Sequence, residues 1–174
     1  MNPEYPSGNP FRKRLRAVRP VLREGWWLQT VTVNRDTSEV EAPDCEPSGG
    51  RFNPPRICAM TYLSQDTPAC RARMAAWCTG SGPGLERMVL VYRIRVERLL
   101  DLCDPRTRVD AGVTRSEIVG RDLSVPRLLG VAAFREEFDG ILYPRPGTRG
   151  GLNLALYRSR AAALEVSVVD RFCR

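Results

Sequence analysis

Apolar and polar positions alternate through "MVLVYRIRV" (Met88 to Val96): Met88, Leu90, Tyr92, Ile94 and Val96 share one side, Arg93 and Arg95 the other. That period of two predicts a strand with one solvated face. Aromatic and β-branched content predicts a second strand in "WWLQTVTV" (Trp26 to Val33), and "CAMTYLS" (Cys58 to Ser64) reads as a buried one. Further strands are predicted at "FDGILYP" (Phe138 to Pro144) and "NLALY" (Asn153 to Tyr157), joined by the loop "RPGTRGG", and at the terminal "LEVSVVDRF". Helical spacing appears twice. In Pro126 to Glu137, Leu128, Leu129, Ala132 and Ala133 face inward. In "PACRARMAAWC" (Pro68 to Cys78), Cys70, Met74, Trp77 and Cys78 form an apolar stripe, with Thr67 placed to cap and Pro68 at the first helical position. Arg73 interrupts that stripe on its own side. Strands interleaved with few helices predict an α+β domain with mostly antiparallel pairing. One domain is expected over residues 26–174, preceded by a basic arm at 1–25.

Composition narrows the chemistry more than the architecture. The 174 residues contain no histidine, which excludes a Ser-His-Asp triad, a Cys-His dyad and an H-E-x-x-H metal helix within this chain. Neither G-x-x-x-x-G-K-[ST] nor G-x-G-x-x-G occurs. The six cysteines include no C-x-x-C pair, so buried free thiols are expected and no metal site. No apolar run approaches the roughly 18–20 residues of a membrane span, and no apolar segment follows the basic N-terminus, so a cytoplasmic location is expected. The formal net charge is +7, carried by arginine apart from Lys13. "RKRLR" (Arg12 to Arg16) reads as a solvated arm, with nucleic-acid contact as the rival; a basic nucleic-acid-binding module has no recognition motif behind it.

Three stretches in order carry a resemblance. "GGRFNPP" (Gly49 to Pro55) before Thr61-Tyr62-Leu63-Ser64 is similar to a G-G-R-[WF]-N-P motif followed by a Y-L-S strand. "LLDLCDP" (Leu99 to Pro105) is similar to a middle L-L-D-L segment, and "FDGILYP" with "GGLNLALY" to a closing Y-P-S-x-R and G-G-x-N-x-A-L-F pair. Together, over roughly Thr30 to Tyr157, they resemble the RES domain family. The resemblance implies an ADP-ribosyltransferase-like fold, with small mostly antiparallel sheets around an NAD cleft. It implies bacterial toxins of toxin–antitoxin pairs that cleave NAD or transfer ADP-ribose, partnered by an antitoxin with a helix-turn-helix segment. It assigns Arg51 as the family arginine, Tyr62 as the cleft tyrosine and Asn153 as the closing asparagine. Gly50 and Asn53 then contact the ligand beside Arg51, which suits bidentate binding of pyrophosphate. A core role for Tyr62 and a surface ion pair for Arg51 are the plain alternatives.

Two positions depart from the family pattern. The family glutamate, eleven residues beyond the tyrosine, falls on Arg73, and the family serine after Y-P falls on Arg145. A guanidinium repels the positive charge that develops at the ribose C1′ when the nicotinamide bond breaks. Thr148 is a replacement hydroxyl, and Glu136 or Asp139 a replacement carboxylate. Alternatively Arg51, Arg73 and Arg145 converge into a site for a nucleotide or phosphate anion. The expectations are therefore an NAD-directed domain with altered catalysis, or an inactive fold (a pseudoenzyme) binding a nucleotide or protein partner.

Overall fold

The computed structural model describes residues 8–34, 40–41, 49–65, 67–68, 70–71, 85–145, 150–160 and 164–170. Its elements are α1 (Phe11–Leu15), β1 (Val21–Asn34), β2 (Val40–Glu41), β3 (Met60–Gln65), β4 (Leu85–Asp101), α2 (Pro105–Ala111), α3 (Arg115–Val119), α4 (Ser124–Arg135), β5 (Gly140–Pro144), β6 (Leu152–Tyr157) and β7 (Leu164–Asp170). The fold is α+β, with a mixed sheet. Strand order is β2-β1-β3-β6-β5-β4-β7, and β1 also pairs with β4. The β1–β4 pairing closes five strands into a ring, so the small sheets expected from the sequence are continuous. Only β4–β5 is parallel among the described pairings.

The alternation of each strand divides the core in two. Trp27 of β1, Leu63 of β3, Ile94 of β4, Leu142 of β5 and Leu154 of β6 meet in one buried cluster, to which all five strands contribute. This cluster fills the ring. The opposite faces of β3, β5 and β6 present Met60, Ile141, Tyr143, Ala155 and Tyr157 to a second cluster, completed by α1, α4 and Phe52. Every residue of β5 is buried, as expected of a strand covered on both sides.

The segment expected as an arm is built into the fold from residue 8 onward. Phe11 and Leu15 of α1, and Val18, join the core against α4. Arg12 and Arg16, two arginines of the basic run, donate to Glu136 at 2.7 and 3.0 Å. Desolvation opposes ionisation of Glu136, but the hydrogen bonds and then the charges of these arginines outweigh it and lower its pKa below the usual 4.5. The stabilisation is complete above the ordinary glutamate value and is lost as pH falls through the lowered one. Acid melting curves should therefore show a steeper fall in Tm for the parent than for Glu136→Gln. At neutral pH that variant should lose about 1 kcal/mol.

Two helices that periodicity alone does not predict are set by their caps. The Asp104 carboxylate accepts from the Arg106 and Thr107 amides, Pro105 opens α2, and Gly112 ends it at φ 72°. Thr114 and Glu117 form a capping box on α3.

Candidate active site

The turn at Gly49–Pro55 begins with backbone conformations that glycine supplies. Gly49 has φ 70°, and a Cβ there would lie 2.6 Å from the Asn53 carbonyl oxygen. Gly50 N donates to that same oxygen at 2.9 Å. A Cβ on Gly50 would meet the Tyr62 hydroxyl at 2.5 Å, so Tyr62 packs directly on the loop backbone. The Tyr62 hydroxyl donates to Asn53 Oδ1 at 2.7 Å and accepts from Phe52 N at 2.9 Å. Both Phe52 and Asn53 are fully buried. Gly50, Asn53 and Tyr62, expected together, are thus in one cluster, with Tyr62 binding the loop as well as facing the sheet surface. Tyr62→Phe removes the acceptor of a buried amide. It should cost about 2 kcal/mol and lower Tm by about 4–8 °C in calorimetry.

Arg51 is held elsewhere. Its Nη1 donates to the carbonyls of Ile118 and Gly120, each at 2.8 Å. It thereby satisfies carbonyls at the C-terminal end of α3, where a cation is favoured. Among the described residues its partners are these carbonyls and not the carboxylate of a surface ion pair. Arg127 Nε donates to the Gly50 carbonyl at 3.1 Å, tying α4 to the same loop. A Cβ on Gly130 would sit 1.7 Å from the Phe52 carbonyl oxygen, and the Gly130 carbonyl accepts from the Tyr157 hydroxyl at 2.6 Å. Burial raises the Tyr157 pKa well above the ordinary value, which keeps that proton in place.

A second group adjoins the first along the sheet. Antiparallel register pairs Tyr62 with Ala155 and Ser64 with Asn153, and Asn153 with Tyr143 on the other side. Residues two apart on a strand share a face, so Tyr62, Ser64, Asn153 and Tyr143 line one surface. Phe52 stands edge-on to Tyr143 with ring centroids 4.8 Å apart, which joins the loop to this surface. Asn153 Oδ1 accepts from Ser64 Oγ at 3.1 Å and from Arg145 Nε at 3.2 Å. Arg145 Nη2 also donates to Cys70 Sγ at 3.2 Å, and only 7 % of Arg145 is exposed. Pro68, Cys70 and Arg71 are helical behind the cap expected at Thr67: the Cys70 amide donates to Thr67 Oγ1 at 3.2 Å and the Arg71 amide to the Thr67 carbonyl at 2.9 Å.

Not all the expected site residues fall into this arrangement. Arg73 and Thr148 lie outside the described residues. Arg51 and Arg145 share no bonding partner among the described residues. The replacement carboxylates have other partners: Glu136 is taken by α1, and Asp139 accepts from the Arg98 amide at 3.1 Å. Both precede β5, whereas Arg145 follows it, a separation of about 20 Å along an extended strand from Asp139. Ser64, Arg127 and Gly130 were not singled out from the sequence. A glycine inside an otherwise helical run was the available signal for Gly130.

Two of the described thiols are held in the protonated form. Burial pushes Cys58 up to about 11, and burial followed by the Asp101 charge pushes Cys103 up to about 12. A cavity of about 250 Å³ opens at the ring, lined by Trp26, Trp27, Gln65, Leu142 and Leu152 among others. It belongs to the opposite strand faces from Tyr62, Ser64 and Asn153 and contains none of the expected site residues. Among the described residues, no helix is long and apolar enough to cross a membrane.

Comparison with known proteins agrees with this layout. The chain is 30% identical over 118 residues to the NAD(+) phosphorylase MbcT of Mycobacterium tuberculosis, and equally to that of Mycobacterium bovis. The alignment covers 64% of this chain and 63% of each relative, so the chain spans just under two thirds of their length. In fold it is similar to the crystal structure of the M. tuberculosis MbcT–MbcA toxin–antitoxin complex, with TM-score 0.68 and 22% identity over 95% of this chain and 92% of the other. The RES domain profile matches residues 26–172. With the paired motifs built around Tyr62 and Asn153, that match places the chain in the RES domain family.

Proposed function

We propose that the chain is an NAD-directed RES domain whose catalysis is weakened or altered by Arg73 and Arg145. The observation that carries this reading is Arg145, buried and bonded to Asn153, at the position of the family serine. Support for NAD comes from the NAD(+) phosphorylase relatives and from the loop around Tyr62, Gly50 and Asn53.

In the reaction, the bond from C1′ to the nicotinamide nitrogen breaks and its electron pair leaves with nicotinamide. An oxygen of phosphate, water or an ADP-ribose acceptor then bonds to C1′. Positive charge builds on the ribose, where a carboxylate would stabilise it and this chain carries Arg73 instead. Tyr62 and the loop backbone position the ligand. Asn153 contributes a hydrogen-bonding amide, and Arg145 adds positive charge where a neutral hydroxyl is expected. NAD is substrate or ligand, and no metal takes part. The MbcT–MbcA complex supports an antitoxin partner, and the cell compartment is the cytoplasm.

The second reading, a fold that binds a nucleotide or a partner without turnover, is favoured by one observation. No carboxylate among the described residues bonds to Arg145, Asn153 or Ser64. Nucleic-acid binding is weakened because Glu136 occupies Arg12 and Arg16. Incubating the purified chain with NAD in phosphate buffer, while following NAD loss and Tm, tests the proposal. A rise in Tm with slow NAD loss is expected; a rise without loss selects the second reading. Neither a rise nor a loss overturns both.

A further inference from the structure

The loop over residues 49–55 meets α4 at two carbonyls. Arg127 Nε donates to the Gly50 carbonyl at 3.1 Å, and a Cβ on Gly130 would collide with the Phe52 carbonyl oxygen. Positions three apart share a helix face, so one side of α4 receives both. The contacts differ in kind. Gly130 makes a steric fit, whereas Arg127 brings a cation to a carbonyl dipole, and such charge-assisted bonds are about twice as strong as neutral ones. No carboxylate among the described residues forms an ion pair with Arg127.

The peptide that Arg127 grips is the one most in need of a hold. Gly50 has no Cβ, so rotation on its side of the peptide is less restricted than at any other residue type. The peptide is trans, and a planar trans peptide carries its C=O and N–H on opposite edges. Fixing the Gly50 carbonyl toward α4 therefore turns the Arg51 N–H away from the helix. The amides on either side are occupied: Gly50 N donates to the Asn53 carbonyl and Phe52 N to the Tyr62 hydroxyl. The Arg51 amide has no acceptor among the described residues.

We propose that Arg127 is a positioning residue. Through the Gly50 carbonyl it orients and polarises the Gly50–Arg51 peptide, and the Arg51 amide is thereby presented to the substrate as a hydrogen-bond donor. Arg127 itself touches no reacting atom. The identity of the substrate rests on the NAD reading; the orienting role rests on the loop geometry alone.

Two measurements on the full chain test these parts separately. In NMR, Arg127→Met should move the Gly50 carbonyl carbon and Arg51 amide nitrogen resonances. Arg127→Lys keeps a cation on a long stem and should leave them near the parental values. In calorimetry, Arg127→Met should weaken NAD binding about tenfold and Arg127→Lys by no more than about threefold. Both variants should unfold cooperatively, with Tm within about 4 °C of the parent. A mere brace between loop and helix would lower Tm in both variants and leave the NAD affinity of the folded chains unchanged. Parental affinity in Arg127→Met, or equal losses in the two variants, overturns the role. If the parent binds no NAD, the NAD reading fails and the resonances decide. A Gly50 carbonyl signal unmoved by Arg127→Met then overturns the orienting role, and a shift that lysine reverses upholds it.

Discussion

Arg73→Glu combined with Arg145→Ser should raise NAD consumption by about a thousandfold. The magnitude follows from charge. Two like charges about 4 Å apart, at an effective dielectric near 20, repel by roughly 4 kcal/mol, which is about a thousandfold in rate. The glutamate restores attraction to the ribose at the transition state. The serine removes a guanidinium now bonded to Asn153 and Cys70, freeing the asparagine amide to turn. Each single change should recover less than the pair, because either remaining arginine keeps positive charge near C1′ on this reading. A cooperative unfolding transition measured alongside separates a silent site from an unfolded chain. A folded double variant that consumes NAD no faster than the parent would contradict the charge explanation.

Gly130→Ala should lower Tm by about 6–12 °C, the equivalent of about 3 kcal/mol in a chain of this size. In an exposed helix the same change would stabilise by about 1 kcal/mol through helix propensity. Here the new methyl would meet the Phe52 carbonyl oxygen 1.7 Å away. That oxygen belongs to a loop fixed by the Gly50–Asn53 turn, by Tyr62 and by Arg127, so it cannot simply withdraw. On its other side α4 is held by Tyr157. The displaced loop carries Gly50 and Asn53, so any NAD binding should weaken with stability. An unchanged or raised Tm would mean that loop and helix are less closely engaged than this contact requires.

Much of the fold was legible because strand alternation survives into burial. Trp27, Leu63, Leu142 and Leu154 are separated by face from Tyr62, Ser64 and Asn153, as a period of two demands. The extension of β1 back to Val21 was not legible. Leu22, Arg23 and Glu24 form an exposed start with two charged residues, and Arg23 and Glu24 pair with Val96 and Arg95 of β4. Closure of the ring is likewise a long-range event without a local signal. The caps of α2 and α3 were readable in "DPRTRVDAG" and "TRSE", but these helices are too short for periodicity to reveal. The motif marked the loop glycines and Tyr62 as ligand contacts, while the hydrogen bonds that tie Tyr62 to the loop had no signal in it. Arg51 shows the limit: its residue type fits an anion, while its observed partners are backbone carbonyls on a helix that periodicity did not predict. Arg145 shows the converse. Sequence marked it as a substitution, and only its burial identifies it as a cation without a carboxylate partner among the described residues.

The most direct measurement is NAD turnover by the purified chain beside M. tuberculosis MbcT in the same phosphate buffer, with NAD binding followed by calorimetry. Retained NAD binding with turnover at least about a hundredfold below the relative is the expected result. Turnover equal to that of the relative would contradict the claim that Arg73 and Arg145 have changed the chemistry of this site.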